Sequence, residues 1–252
     1  MFRRVFLAAA LAGAVAGLVM AFLQETRVSP FIFAAEEFEN AGPNSAAVAH
    51  SHGSTTIAQG ASSDSESAAS ALPEQPVVEE EPWMPKDGFQ RTFYTVLADL
   101  VVGVGFALAL AGISLLTGIP ITLANGAVWG LCAFLAVSIA PAAGLPPELP
   151  GMPAADLLTR QAWWWFTVAF TGLGIGLLAR MRSHGLWALA VVLIALPHLI
   201  GAPQPPHAPT SLPAHLATGF AANALAAAAA FWTILGFCLG WVNDRVRAST
   251  AT

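Results

Sequence analysis

The chain has 252 residues, of which 56% are hydrophobic and only 10% charged, and its mean hydropathy is +0.65. Soluble domains carry roughly 25% charged residues, so the composition excludes an ordinary water-soluble globule. The formal net charge of −5 is unevenly placed, with 11 of the 15 acids between Gln24 and Thr92, and no basic stripe offers a surface for nucleic acid.

A helix needs about 20 apolar residues to cross a hydrocarbon core about 30 Å thick. Six segments of that kind follow one another: Val5 to Leu23, Phe93 to Leu116, Ile121 to Ala140, Gln161 to Ala179, Gly185 to Gly201 and Leu216 to Trp241. The expected fold is therefore all-α, a polytopic transmembrane bundle of about six helices. Residues 1–23 form the first span. Arg3 and Arg4 precede it as in a signal peptide, but no A-x-A-like cleavage site follows, which predicts a retained, anchor-like helix.

Residues 24–92 are rich in Ser, Ala, Glu and Pro and bury too little apolar area to offset ordering entropy. They read as an acidic, largely disordered external loop. Residues 93–244 carry the other five spans, and 245–252 form a tail. Arg3/Arg4, Arg180/Arg182 and Arg245/Arg247 fall on one face of six alternating spans. By the positive-inside rule that face is cytoplasmic, with both termini inside. The proline-rich stretches between Leu145 and Arg160 and between Ala202 and His215 then lie outside as stiff caps. Trp163, Trp164 and Trp165 open the fourth span at the outer headgroup layer.

Glycines at four-residue spacing, Gly13/Gly17, Gly172/Gly176 and Gly236/Gly240, predict close helix packing in lipid. Cys132 and Cys238 lie in apolar runs, where a thiol packs like a small hydrophobe.

An ionisable group within a span costs about 2.5 to 3.5 kcal/mol on insertion scales and demands a reason. Asp99 and His198 are the two such groups. Asp99 shares a helical face with Gly103 and is expected to point into the bundle. His198 follows Pro197, which leaves the Leu193 carbonyl without its helical partner. Asn223 falls at comparable depth in the sixth span. Carboxylate, imidazole and amide in one outer vestibule would suit a divalent first-row metal. The competing reading is an interhelical hydrogen bond from Asp99 to Asn223 or His198, holding helices together.

His50 and His52 lie in the acidic segment, and His207 and His215 bracket the last external loop. With His198 they put five of six histidines at the outer face, where imidazoles and acids attract cations; simple solvation of a biased loop is the alternative. Nucleotide-binding, zinc-protease and hydrolase-elbow motifs are absent from the sequence, so neither an enzyme nor a bound cofactor is expected.

The stretches MFRRVFLAAALAGAVAG, DGFQRTFYTVLADLVVGVGFAL, LPPELPG, RQAWWW and PHLIGAPQP, in this order, resemble the CbtA family, over the whole chain apart from the variable external segment. The resemblance implies a cobalt permease component linked to cobalamin synthesis, multi-pass in the bacterial inner membrane. It also implies a small partner with one span and a histidine-rich tail, CbtB-like. Relatives often carry a more histidine-rich first external loop; the survival of only His50 and His52 shifts weight to His198, His207 and His215. The family is usually described with one span fewer, which depends on whether the first segment is counted. Import of Co²⁺ as the transported substrate is the leading expectation. A non-transporting membrane anchor for the metal-binding partner is the alternative.

Overall fold

The computed structural model describes residues 2–41, 83, 85–180, 183–206, 210 and 212–249, and every regular element among them is helical. In chain order these are α1 (Phe2–Leu23), a π turn (Gln24–Val28), α2 (Ser29–Ala41), α3 (Phe89–Thr117), α4 (Gly126–Phe134), a second π turn (Leu135–Ile139), α5 (Ala140–Ala142), α6 (Leu157–Arg180), α7 (His184–Ile200) and α8 (Ala214–Ala248). The π turns join α1 to α2 and α4 to α5, leaving six rods. Val5–Phe38, Phe89–Thr117, Leu157–Arg180 and Ala214–Ala248 are long and apolar enough to cross a membrane, and Gly126–Ala142 and His184–Ile200 are shorter apolar helices. The 17 residues of α7 rise about 25 Å, just under the hydrocarbon thickness. The chain is an integral membrane protein built as a helical bundle.

The expected loop over 24–92 starts differently. Helix continues past Leu23 as far as Ala41, and α3 begins at Phe89. The segment SPFIFAAEEFENA has an apolar side with something to cover: the Phe31 ring lies where Gly219 of α8 lacks a side chain, and a Cβ there would stand 2.5 Å from the ring. The acidic stretch 42–82, with His50 and His52, lies outside the described residues.

Each π turn stands just ahead of a proline. The Ser29 N–H reaches back to the Gln24 carbonyl and Pro30 follows; the Ala140 N–H reaches back to the Leu135 carbonyl and Pro141 follows. A proline inside a helix has no N–H to donate and its ring collides with the carbonyl four residues back. Widening the preceding turn by one residue relieves that collision and lets the rod continue.

Laterally the rods stand in the order α3, α1, α8, α4, α6, α7. Two contacts in this row are glycine seams of one design. Gly103 of α3 sets its backbone against Gly13 and Gly17 of α1, and Gly236 of α8 sets its backbone against Gly126 and Gly130 of α4. One turn from each docking glycine the pattern repeats: Gly17 abuts the Asp99 carbonyl and Gly130 abuts the Trp232 carbonyl. The sequence carries the same duplication, GAVAGL over residues 13–18 and GAVWGL over 126–131. Thus α1 with α3, and α4 with α8, are two copies of a hairpin-like unit with a π turn above the seam. Of the expected small-residue pairs, Gly13/Gly17 and Gly236/Gly240 make close contacts. Gly172 and Gly176 do not, since a Cβ at either meets open space.

The apolar core fills the half of the bundle around and beyond these seams. Ala9, Ala12 and Ala16 of α1 meet Leu110 of α3 and Leu235 and Leu239 of α8, and Phe106 stacks 4.7 Å from Trp232. At that end the connection between α3 and α4 is fixed by polar contacts. Asn243 Nδ2 donates to the Ile121 carbonyl at 3.2 Å, the Leu123 N–H donates to Asp244 at 2.8 Å, and Arg180 donates to the Thr117 carbonyl. Arg180, Arg245 and Arg247 therefore share one end of the bundle, as alternation of the spans requires.

Candidate cation site

The α1–α3 seam determines where Asp99 points. A Cβ on Gly17 would lie 2.5 Å from the Asp99 carbonyl oxygen, so only glycine permits this approach. Side chains on a helix tilt toward its N-terminus. The two helices are antiparallel, so Asp99 leans toward the start of α3 while Gln24, in the first π turn, leans back toward it. They meet. With its NH₂ turned to the carboxylate, the Gln24 amide donates at 3.1 Å to Asp99 Oδ2 and 3.3 Å to Oδ1. The pair gives a half-buried carboxylate a partner where water is scarce, and charge-assisted bonds of this kind are the strong ones.

Above Asp99 the same cleft carries further acids. Thr92, two turns outward on the same face of α3, donates its hydroxyl to Glu25 Oε1 at 2.8 Å. Arg91 binds Glu36 Oε1 at 3.0 Å and Asp87 Oδ1 at 3.1 Å, and its guanidinium lies 4.8 Å from the Phe33 ring centre. Four carboxylates thus line the α1–α3 groove toward Asp99: Glu36 and Asp87, both paired with Arg91, the exposed Glu25 in the same π turn as Arg27, and Asp99 itself. Below Asp99 the glycine seam leaves no space between the backbones.

Gln24, Glu25, Glu36 and Asp87 do not figure among the residues singled out from sequence, because they fall in the stretch read as disordered loop. A signal existed. Thr92, Asp99 and Gly103 repeat at helical spacing on one face, which marks a helix starting before Phe93 with a polar outer half.

The other expected site residues are scattered. His198 ends α7 with its ring exposed, edge-on to Trp163 at 6.1 Å between centres. Asn223 turns its amide back along α8 and donates to the Gly219 carbonyl at 2.8 Å. His215 is exposed in the first turn of α8, and His207 lies outside the described residues. The single vestibule expected for Asp99, His198 and Asn223 is therefore not formed. For His198 the reason is lateral order: α7 packs on α6 at one end of the row, whereas α3 packs on α1 at the other. Among the described residues no three His, Cys, Asp or Glu side chains converge on a point that could hold a metal ion. Asp99 is left as a single carboxylate paired with an amide, suited to passing contact with a cation and not to a closed metal cage.

A separate cavity of about 680 Å³ opens beside the second π turn, between α4/α5, the start of α6 and the first half of α8. Its polar lining includes Ser138, Gln161 and the pair of Glu148 with Arg160, which lie 2.8 Å apart.

Compared with known families, residues 2–244 match the family described as "Probable cobalt transporter subunit (CbtA)". No curated protein and no solved structure matches the chain.

Proposed function

Because this chain belongs to the CbtA family, we propose that it provides the membrane path for a divalent cation, carrying Co²⁺ inward across a bacterial inner membrane, for cobalamin synthesis, with Asp99 as the station inside the bilayer. The observation that carries this reading is the descent of carboxylates along the α1–α3 cleft to Asp99. An intramembrane carboxylate is costly unless it serves a purpose, and oxygen donors suit hard and borderline divalent ions. Gln24 fits the role because its amide has two ends. It donates N–H to an empty carboxylate and, rotated, offers its carbonyl oxygen to an ion bound there.

The histidines act earlier. His198 and His215, with His50, His52 and His207 of the external segments, raise cation concentration at the outer face, and the acids in the cleft draw ions from that pool. Asn223 spends its amide N–H on the Gly219 carbonyl of its own helix, which leaves its carbonyl oxygen as the end that could meet an ion. Passage beyond Asp99 requires the Gly13/Gly17/Gly103 seam to part. That closed seam also favours a second reading, in which the chain anchors a small histidine-tailed, metal-binding subunit and conducts nothing alone.

Sealed vesicles containing the purified chain, with and without the partner subunit, decide between them. Labelled Co²⁺ should accumulate inside with the partner present and fall to background in Asp99→Asn. Flux indifferent to Asp99 would remove the proposed station, and metal binding by the partner with no flux in any combination would leave the anchor reading.

A further inference from the structure

The duplicated hairpin identifies what the 680 Å³ cavity is. Counting helical register from the docking glycines, Gly103 with Gly236, sets Arg91, Thr92 and Thr95 against Ala224, Leu225 and Ala228. Those three α8 residues all line the cavity, and Ser138 of the second π turn lines it from the facing helix. The cavity thus stands where the acidic groove stands in the first copy, above a glycine seam, with Ala224 and Ala228 in place of an arginine and a threonine.

Its chemistry differs from the first copy. A divalent cation with six waters occupies about 180 Å³, far less than this volume. Glu148 and Arg160 also neutralise one another, leaving no net negative field, and the lining contains neither histidine nor cysteine. The two charged side chains are largely covered, 17% and 29% exposed. Trp164 and Trp165 set the level as the outer headgroup layer, and the rim carries Leu157 and Trp165, 61% and 66% exposed. A ligand with adjacent opposite charges and a long apolar body fits all of these features.

We propose that this cavity binds a zwitterionic phospholipid of the ethanolamine class. Arg160 takes the phosphate and Glu148 the ammonium, while Gln161 and Ser138, which lack partners among the described residues, serve the remaining headgroup oxygens. The acyl chains leave over Leu157 and Trp165. Insertion of the headgroup exchanges one internal ion pair for two charge-assisted contacts, so neither charge is left buried alone. The lipid would brace α6 against α8.

The purified full chain, stripped of lipid in detergent, should be offered an equimolar mixture of phosphatidylethanolamine, phosphatidylcholine and phosphatidylglycerol and examined by native mass spectrometry. One phosphatidylethanolamine should be retained in preference to the other two, and this lipid should raise the melting temperature most. Ala224→Phe, which fills the cavity, and the uncharged double variant E148Q/R160Q should each weaken that retention by about tenfold or more. If Ala224→Phe does not accumulate, the double variant carries the test. Equal retention of the three lipids, or a preference for phosphatidylethanolamine that survives in the variants, would overturn the assignment.

Discussion

Gln24 and Asp99 touch across two antiparallel helices, amide to carboxylate at 3.1 Å, directly above the point where Gly17 lets the backbones meet. The glycine seam and the polar pair are one arrangement: the close approach that excludes a side chain at Gly17 is what brings the two polar groups within reach. Asp99→Asn keeps the volume and an acceptor oxygen but removes the charge. Co²⁺ uptake by vesicles should fall at least about tenfold, the scale of one charge-assisted contact, with membrane abundance unchanged by immunoblot.

Gln24 can be separated from Asp99 by its two-ended chemistry. Gln24→Leu removes both the donor for the empty site and the carbonyl for the filled one, and uptake should drop severalfold. Gln24→Asn moves the amide back by one methylene, so its uptake should lie between those of Gln24→Leu and the native chain at matched expression.

The outer histidines should behave differently from Asp99, because concentrating ions changes occupancy and leaves the rate-limiting passage alone. His198→Ala and His215→Ala should raise the Co²⁺ concentration needed for half-maximal uptake and preserve the maximal rate. Asp99→Asn should lower the maximal rate itself. Uptake measured across a range of Co²⁺ concentrations separates the two patterns.

Seam glycines and surface glycines give a stability contrast. Gly103→Val places methyl groups against the backbone of Gly13 and Gly17 and should cost about 1 to 3 kcal/mol or more, as overpacking does. It should also lower the thermal transition of the detergent-solubilised protein. Gly172→Ala and Gly176→Ala face open space and should leave the transition in place or raise it slightly through helix propensity.

Removing the proline behind the second π turn should tighten that turn. Pro141→Ala restores an N–H and ends the ring collision, so the wide turn over Leu135–Ile139 can revert to α-helix. That change of register rotates Ser138 by about 100° relative to the residues after it. Reaction of a Ser138→Cys thiol with a water-soluble reagent added outside should slow when Pro141→Ala is present.

The helices and the site differ in how far they could be read from residues alone. The six rods, the alternation of their ends and the polar outer half of α3 all follow from run length and helical spacing. The helix through Ser29–Ala41 does not, because Ser29 and Pro30 interrupt the apolar run and three glutamates follow it, and Gly219 on a distant helix is what makes room for Phe31. Asp99 could be found as a charge in a span. Its partner could not, because Gln24 sits in a π turn whose position depends on Pro30 six residues later. His198 matches Asp99 in depth, but depth says nothing about lateral order, which puts α7 at the opposite end of the row from α3.

By itself, the sequence determined that this chain lives in a membrane, how many apolar rods it has and at which end its arginines gather. Those are properties of segment length, charge and spacing, and the bilayer reads them one segment at a time. Only the tertiary structure decided which rods are neighbours. Lipid tails are as apolar as the helices, so neighbours are chosen by where backbones can approach most closely, and that choice rests on glycines far apart in the chain. It joined Gln24 to Asp99, kept His198 on the far side of the row, and left the second copy of the cleft open.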